Sequence, residues 1–197
     1  MEPHSASPAA DHHPDRVTYL LVDGENIDAT IGNSILNRRP NPEERPRWDR
    51  LLTFSEATWQ QPVKGLFFLN ASSGLPMAFV QALRAIGYAT VPLSGTAEEK
   101  VVDMAIIATL DALRDRDADV MLVSHDGDFV EATTGLVDGE RRVGLMAFEE
   151  FRNHAYGALE ARGMEFFDLE HDAGAFNTRL PRLRIIAIED FDPLDFL

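Results

Sequence analysis

Two kinds of apolar segment alternate along the chain. Short runs rich in β-branched and aromatic residues predict strands, and longer segments with apolar residues at helical spacing predict helices. The predicted strands cover residues 17–22, 63–69, 88–93, 119–124, 142–148 and 165–169. The predicted helices cover residues 26–37, 47–60, 75–86 and 100–114, then a segment from Phe129 and residues 151–161. This alternation predicts an α/β fold whose mainly parallel central sheet is covered by helices on both faces.

The length of 197 residues is enough for one buried core, so we predict one domain over residues 17–168. Residues 1–16 lack the apolar core of a signal peptide and are predicted to form a flexible leader. Residues 169–197 are predicted to be an acidic tail or docking segment, because the stretch from residue 165 onward holds eight acidic residues and three arginines. Within that segment, residues 184–189 predict either an edge strand or an extended tail.

The composition narrows the classes of function. The chain has no cysteine, which rules out disulfides and thiolate zinc sites and fits a cytoplasmic protein. No apolar run approaches about 18 residues, so we predict no membrane span. The formal net charge of −15 argues against a surface that grips nucleic acid through many Lys and Arg residues. It leaves open an acidic site at which bound metal ions face a phosphate.

Acidic side chains follow two of the predicted strands. Asp23 comes directly after Val22, while Asp126 and Asp128 follow the strand that ends at residue 124. Open parallel sheets bind ligands beyond the carboxyl ends of their strands, at the point where the strand order reverses. If these two strands are neighbours there, their aspartates converge, and Asp103 can approach from the preceding helix. Taken singly, each aspartate is more typical of a helix cap or a tight turn.

Carboxylates that share a site repel one another, and a divalent cation removes that cost. We therefore expect Asp23, Asp126 and Asp128 to contact a metal ion directly or through water. Asp103 is the next candidate, either as a ligand or as the base for an attacking water. A metal held in this way contacts a phosphodiester oxygen and lowers the pKa of a bound water, which allows hydrolysis without a Ser, Cys or His nucleophile.

At these residues the chain resembles the NYN domain family, a branch of the PIN-like nucleases. The LVDGEN segment at residues 21–26 is similar to the family's strand followed by D-x-x-N. The KVVD segment at residues 100–103 resembles a K-G-V-D motif that opens a helix, and VSHDGDF at residues 123–129 resembles S-G-D-x-D-F. The order and spacing of the three segments fit, and the resemblance covers about residues 17–168.

The resemblance implies a three-layer α/β/α sandwich of the PIN-like type and an Mg²⁺- or Mn²⁺-dependent endoribonuclease. It assigns catalysis and metal binding to the matching acids, which are Asp23, Asp103, Asp126 and Asp128. It also implies that Asn26 and Ser124 are supporting polar residues that shape the pocket for the substrate.

Two positions depart from the family's pattern. His125 replaces the usual Gly and adds bulk, with a charge when protonated, beside the acidic turn. Leu110 stands where many relatives have an acid, and Asp111 lies next to it. The two departures concern the shape of the acidic turn and the number of acids in the candidate metal site.

Cationic side chains near these motifs are candidates for binding RNA. Lys100 could reach a phosphate, although a Lys at a helix start is more often solvated. The stretch at residues 38–50 has five arginines against three acids, and Arg38 and Arg39 at its start could guide an RNA strand toward the acids. The alternative interpretation of this stretch is a loop of mixed charge.

Other functions remain open at this stage. The chain could be a non-catalytic module that binds RNA or protein on the same fold, and the acidic tail could recruit a protein partner. The sequence does not decide between a monomer and a homodimer. The Asp126-Gly127-Asp128 triplet also resembles the D-x-D pair of haloacid dehalogenase phosphatases. In that family, however, the first Asp directly follows a strand near the N-terminus, and Asp23 would have no role.

Overall fold

The apolar segments predicted as strands lie side by side in one parallel sheet. The computed structural model describes residues 16–96, 98–183, 186 and 188–196. In these residues the strands are β1 (Val17–Asp23), β2 (Val63–Asn70), β3 (Ala89–Leu93), β4 (Ala118–Val123), β5 (Val143–Ala147) and β6 (Glu165–Asp168). Their order across the sheet is β3-β2-β1-β4-β5-β6, and every pair is parallel. The order therefore reverses between β1 and β4, the two strands that precede the acidic turns.

Position in the sheet accounts for the composition of the strands. Strands β4 and β5 are buried along their whole length and read as continuous apolar runs, as expected where helices cover both faces. Strand β3 lies at an edge and pairs only with β2. It can therefore hold Pro92, whose missing N–H would break the ladder of a central strand.

Helices cover both faces, which confirms the predicted three-layer α/β/α sandwich. One face carries α1 (Gly24–Thr30), α2 (Trp48–Trp59) and α3 (Met77–Ala85). The other carries α4 (Val101–Leu113), α5 (Val130–Thr134) and α6 (Gly157–Glu160). Each layer packs a separate group of buried apolar side chains against the sheet. None of the helices in the described part of the chain is long and apolar enough to cross a membrane.

Helix ends follow local sequence. The first predicted helix is α1 continued by a π-helical stretch, Ile31–Leu36, which ends where Asn37 adopts the left-handed conformation with φ of 52°. The helix predicted over residues 75–86 is α3, which ends just before Gly87. Gly87 has φ of 107°, and the Tyr88 N–H donates to the Leu83 carbonyl at 3.0 Å.

One predicted helix is wrong. Instead of a continuous helix over residues 151–161, the chain forms two short 3-10 turns, Glu149–Phe151 and His154–Tyr156, followed by α6. Asn153 between the turns is extended, and its side chain accepts a hydrogen bond from the Ala155 N–H at 3.0 Å. This cap starts a new turn instead of extending the previous one.

The first part of the segment after β6 packs against the domain. Leu169, Phe176 and Leu180 are buried, and the Phe176 ring stacks on Phe148 with centroids 5.7 Å apart. Arg50 on α2 donates to the carbonyls of Gly174 and Phe176 at 2.8 and 2.9 Å. Residues 169–180 therefore belong to the apolar layer on that face of the sheet.

Two predictions concern segments near the ends of the chain, residues 1–16 and residues 184–189. The predicted leader lies outside the described residues except for Arg16, which pairs with Asp117 and Asp119. An edge strand or an extended tail was predicted over residues 184–189. Of these, residues 184, 185 and 187 lie outside the described part of the chain. From Ile188 to Asp190 the chain forms a 3-10 turn.

Arg182 joins this segment to the acids at the end of β6. Its guanidinium donates to both carboxylate oxygens of Asp168, at 2.8 and 2.6 Å, pairs with Glu150 and Glu170, and lies over the Phe148 ring. Burial opposes ionisation of Asp168. Hydrogen bonds from Arg182 and from backbone N–H groups outweigh burial and lower the pKa of Asp168 to about 2.

We predict that Arg182→Met lowers the free energy of unfolding by about 3 kcal/mol at neutral pH, because three carboxylates lose their buried counter-charge. The pKa of Asp168 is lower in the folded state than in the unfolded chain. This stabilisation is therefore complete above about pH 4 and is lost as the pH falls toward 2. Urea unfolding at a series of pH values should show the difference between the two proteins shrinking on acidification.

The matched control is Arg47→Met, which removes an ion pair with Asp49 in which both side chains are about half exposed. Such a pair contributes roughly 0–1 kcal/mol. Equal losses of unfolding free energy in the two variants at neutral pH would contradict the role of Arg182 as the buried counter-charge of three carboxylates.

Candidate functional site

The site lies where β1 and β4 end side by side. Val22 of β1 is in register with Val123 of β4, so the next residues, Asp23 and Ser124, lie side by side at the ends of the two strands. The Ser124 hydroxyl donates to Asp23 Oδ2 at 3.0 Å. The convergence expected at the reversal of strand order is therefore present.

Asp23 forms the buried floor of the site. It is 3% exposed, and its Oδ1 accepts a hydrogen bond from the Asn26 N–H at 3.2 Å at the start of α1. Burial raises the pKa of Asp23 to about 6, against the hydrogen bonds from Asn26 and Ser124. The negative charges of Asp103 and Asp126 act in the same direction as burial. Asp23 is thus close enough to both acids to feel their charge.

Three further carboxylates come together above this floor. One carboxylate oxygen from each of Asp103, Asp126 and Asp128 lies within 4.8 Å of the other two. Asp103 and Asp126 are half-buried, and Asp128 is exposed. An all-carboxylate donor set of this size fits a hard divalent cation, which prefers oxygen ligands and keeps some of its waters. Asp23 is outside this trio of oxygens.

Lys100 shows that the acids accommodate a cation. Its ammonium group is 2.8 Å from Asp128 Oδ2 and 3.3 Å from Asp103 Oδ2. Hydrogen bonds to these two carboxylates raise the pKa of Lys100. The Lys100 side chain is nevertheless mostly exposed, so it can leave without opening the core. Lys100 therefore bridges two of the acids.

The shape of the acidic turn depends on contacts from a distant segment. The Asp126 N–H donates to Ser124 Oγ at 3.1 Å, and Asp126 Oδ1 accepts from the Asp128 N–H at 2.9 Å. The buried Tyr156 hydroxyl donates to the Asp126 carbonyl at 2.8 Å. The Asn153 side chain packs closely against Gly127, because a Cβ at this position would come within 2.3 Å of the Asn153 amide. The turn is therefore fixed on both sides.

Sequence analysis gave no role to Tyr156 or Asn153. Both come from the segment in which one continuous helix was predicted, and nothing in their local sequence points to the acidic turn. The capping preference of Asn153 is the one signal that could have placed a break in that helix.

His125 is a structural residue rather than a source of charge. Its Nε2 accepts a hydrogen bond from the Phe148 N–H at 2.9 Å, which assigns the ring proton to Nδ1. The Nδ1–H group lies 3.1 Å from Asn26 Oδ1 and 3.2 Å from Thr30 Oγ1. Burial lowers the pKa of His125 to about 4, so the ring is neutral near pH 7. The larger side chain at this position is therefore accommodated in the interior, where the His125 ring is held by Phe148, Asn26 and Thr30.

Neither Leu110 nor Asp111 takes the place of the acid that many relatives carry after Asp103. Leu110 is fully buried in the apolar layer against the sheet. Its neighbour Asp111 is exposed and pairs with Arg114 at 3.2 Å. The candidate metal site therefore consists of the trio of oxygens with Asp23 below it.

The two candidate arginines differ in their partners. Arg38 is engaged by Glu44 in a two-bond ion pair of 2.5 and 2.7 Å. The exposed Arg39 side chain makes no hydrogen bond or ion pair within the described residues and lines a cavity next to α1. Only Arg39 of this pair is therefore free to meet a ligand.

We predict that Asn26→Ala lowers the free energy of unfolding by about 1–3 kcal/mol, because the His125 backbone N–H donates to the side-chain oxygen Oδ1 of Asn26 at 2.9 Å and would lose this acceptor. Asn26→Asp keeps an acceptor and should be less destabilised. Urea unfolding measures both changes. Asn33→Ala, at an exposed position of the following π-helical stretch, is the control. An equal effect at Asn33 would refute the role of Asn26.

Comparisons with known proteins agree with this geometry. The crystal structure of a protein of unknown function from Vibrio parahaemolyticus has a similar fold, with a TM-score of 0.62 and 18% sequence identity. The similarity covers 84% of this chain and 98% of that one. No match was found among proteins with curated descriptions. The family model of the NYN domain matches residues 17–170. The fold, the acidic turns and this match agree: the chain belongs to the NYN domain family, whose members are generally nucleases of the PIN-like superfamily.

Proposed function

We propose that the protein is an endoribonuclease that hydrolyses RNA phosphodiester bonds with the help of Mg²⁺ or Mn²⁺. The observation that carries this proposal is the trio of carboxylate oxygens from Asp103, Asp126 and Asp128, all within 4.8 Å of one another at the reversal of strand order. The family's general association with nucleases and divalent metals supports it.

Asp103, Asp126 and Asp128 would hold the metal. A bound divalent ion supplies Lewis acidity to a phosphate oxygen and lowers the pKa of a water. Asp23 keeps the position of Asp126 through Ser124, whose hydroxyl donates to Asp23 and accepts from the Asp126 N–H. Direct ligation by Asp23, as predicted from the sequence, stays a prediction.

The remaining polar residues would orient the RNA. Lys100 is exposed and is held only by Asp103 and Asp128, so competition for these acids frees its ammonium group to contact a phosphate. Asn26 and Ser124 act by fixing the turn, because their side chains are engaged with His125, Asp23 and Asp126. Arg39 offers an unpaired guanidinium on the same side of the domain as α1.

A second candidate function has a specific observation in its favour. Lys100 already supplies a positive charge to Asp103 and Asp128, and Leu110 leaves the set of acids one short of many relatives. A module that binds RNA or protein without cutting would need no metal ion, because Lys100 already offsets part of the negative charge of the acids.

Two further expectations from the sequence stay predictions, a cytoplasmic location and a protein partner at the acidic C-terminal segment. The choice between a monomer and a homodimer stays open.

We predict Mn²⁺- or Mg²⁺-dependent cleavage of RNA that is abolished by EDTA. Asp103→Asn and Asp126→Asn should each lower the rate about 100-fold or more, because each removes one of three charged donors. Gel analysis of labelled structured and single-stranded RNA measures the rate. Asp111→Asn, on the same helix as Asp103 but paired with Arg114, is the matched control and should cleave normally. Binding without cleavage at any metal concentration would favour the second candidate function.

We also predict that Arg39→Ala weakens RNA binding and reduces the slope of log K against log salt concentration by about 0.7–1, because one phosphate contact is lost. Arg38→Ala should change the slope less, since Glu44 already neutralises Arg38. Fluorescence anisotropy of the metal-free protein with labelled single-stranded RNA measures both. A larger effect at Arg38 would contradict the assignment.

A further inference from the structure

A second concave site adjoins the acidic one. A cavity of about 440 Å³ lies beside the start of α1, within the range of small-molecule sites. Gly24 and Glu25, which line the cavity, directly follow Asp23. The other wall comes from the end of β2 and from the start of α3. The cavity therefore begins at the two residues that follow Asp23 in the chain.

The floor of the cavity is aromatic. The Phe67 ring lies edge-on to Trp48 and Phe79, with centroids 4.9 and 5.6 Å away. Gly24 permits this arrangement, because a Cβ there would come within 2.4 Å of the Phe67 ring. Phe79 is only half-buried, so part of its ring faces the opening. Aromatic surfaces of this kind bind unstacked bases.

The rim contains polar groups with unused bonding capacity. Glu25 Oε1 accepts from the Asn70 N–H at 3.2 Å, and the other oxygen makes no hydrogen bond within the described residues. The Asn70 side-chain oxygen accepts from the Ser72 N–H at 2.9 Å, which leaves its amide N–H groups available. Asp28 and Arg45 pair with each other at 2.9 Å. Glu25, the Asn70 amide and Arg39 thus remain for a ligand.

We infer that this cavity binds one unstacked nucleobase of single-stranded RNA, preferably a base with an exocyclic amino group beside a ring nitrogen acceptor. This inference rests on the proposed function and adds the substrate class. Cytosine and adenine present an amino donor next to an acceptor, which complements the Glu25 carboxylate and the Asn70 amide. Uracil presents a carbonyl oxygen in place of the amino group and would face the carboxylate unfavourably. Arg39 at the rim supplies the contact to the adjoining phosphate.

The test compares two pyrimidines that differ at this edge. Fluorescence anisotropy with the EDTA-treated full chain gives the affinities for labelled oligocytidylate and oligouridylate of equal length. The native protein should bind oligocytidylate at least about fivefold more tightly, which is the lower limit for one specific base contact. Glu25→Gln should bring the ratio near unity, because an amide can donate as well as accept. Phe79→Leu should weaken both by about fivefold, since it removes the ring but keeps apolar volume.

Matched controls separate the cavity from general effects. Glu56→Gln changes an exposed acid on α2, and Phe54→Leu changes a half-buried ring that contacts Phe167 away from the cavity. Both should bind like the native protein, and thermal unfolding should show that all variants are folded. Equal binding of the two oligonucleotides by the native protein, or an unchanged ratio in Glu25→Gln, would overturn the inference.

The two proposals can fail separately. If the cavity variants behave natively while metal-dependent cleavage still requires Asp103, the base site is refuted and the nuclease stands. If the Glu25 variant removes a base preference but no metal supports cleavage, the base site stands and the nuclease is refuted.

Discussion

Mutual repulsion among four carboxyl groups at one rim of the sheet is the constraint that the surrounding structure must satisfy. Burial of Asp23 makes its charged form costly, and Asp103 and Asp126 add to that cost. Hydrogen bonds from Ser124 and from the Asn26 backbone offset part of this cost at Asp23, and the ammonium group of Lys100 offsets the repulsion between Asp103 and Asp128. An exposed lysine and a divalent ion can offset the same charge, and this shared requirement connects the stability of the rim to its proposed chemistry.

Rigid support allows the rim to tolerate this charge. The acids follow β1 and β4, whose inner residues are fully buried, so their backbones have little freedom to move apart. Below the turn, the neutral His125 connects Asn26 to the Phe148 backbone and stacks on the Phe148 ring. The Phe176 ring also stacks on Phe148. A continuous set of contacts therefore runs from the acidic turn to the segment after β6.

Much of the fold was predictable because its signals are local. The apolar runs at β1 and β4 and the acidic turns after them are written in consecutive residues, and the alternation of elements indicated a parallel sheet. The adjacency of β1 and β4 depends on chain topology, so the sequence could state it only as a condition. The sequence favoured Asp23 over Asp103 as a metal ligand. In the structure, α4 brings Asp103 into the trio of oxygens, whereas Asp23 is buried and lies outside the trio.

Other features could not be predicted because they depend on distant segments meeting. The acidic turn is held by Tyr156 and Asn153 from a region of short turns, where helical periodicity misled the prediction. The cavity beside α1 combines Arg39, Phe67 and Phe79 from separate parts of the chain. The sequence also does not indicate which charged side chains form ion pairs. Nothing in consecutive residues distinguishes Arg38, which pairs with Glu44, from its neighbour Arg39.

The position of Arg182 has a consequence for where the folded unit ends. The family model stops at residue 170, yet Arg182 neutralises Asp168, Glu150 and Glu170 and covers Phe148 from twelve residues beyond that limit. A fragment cut at the family boundary would retain three acids without their shared cation and an aromatic ring without its cover. In this protein the packed structure therefore extends beyond the residues that the family model matches, and a fragment that ends at residue 170 would lack part of its own core.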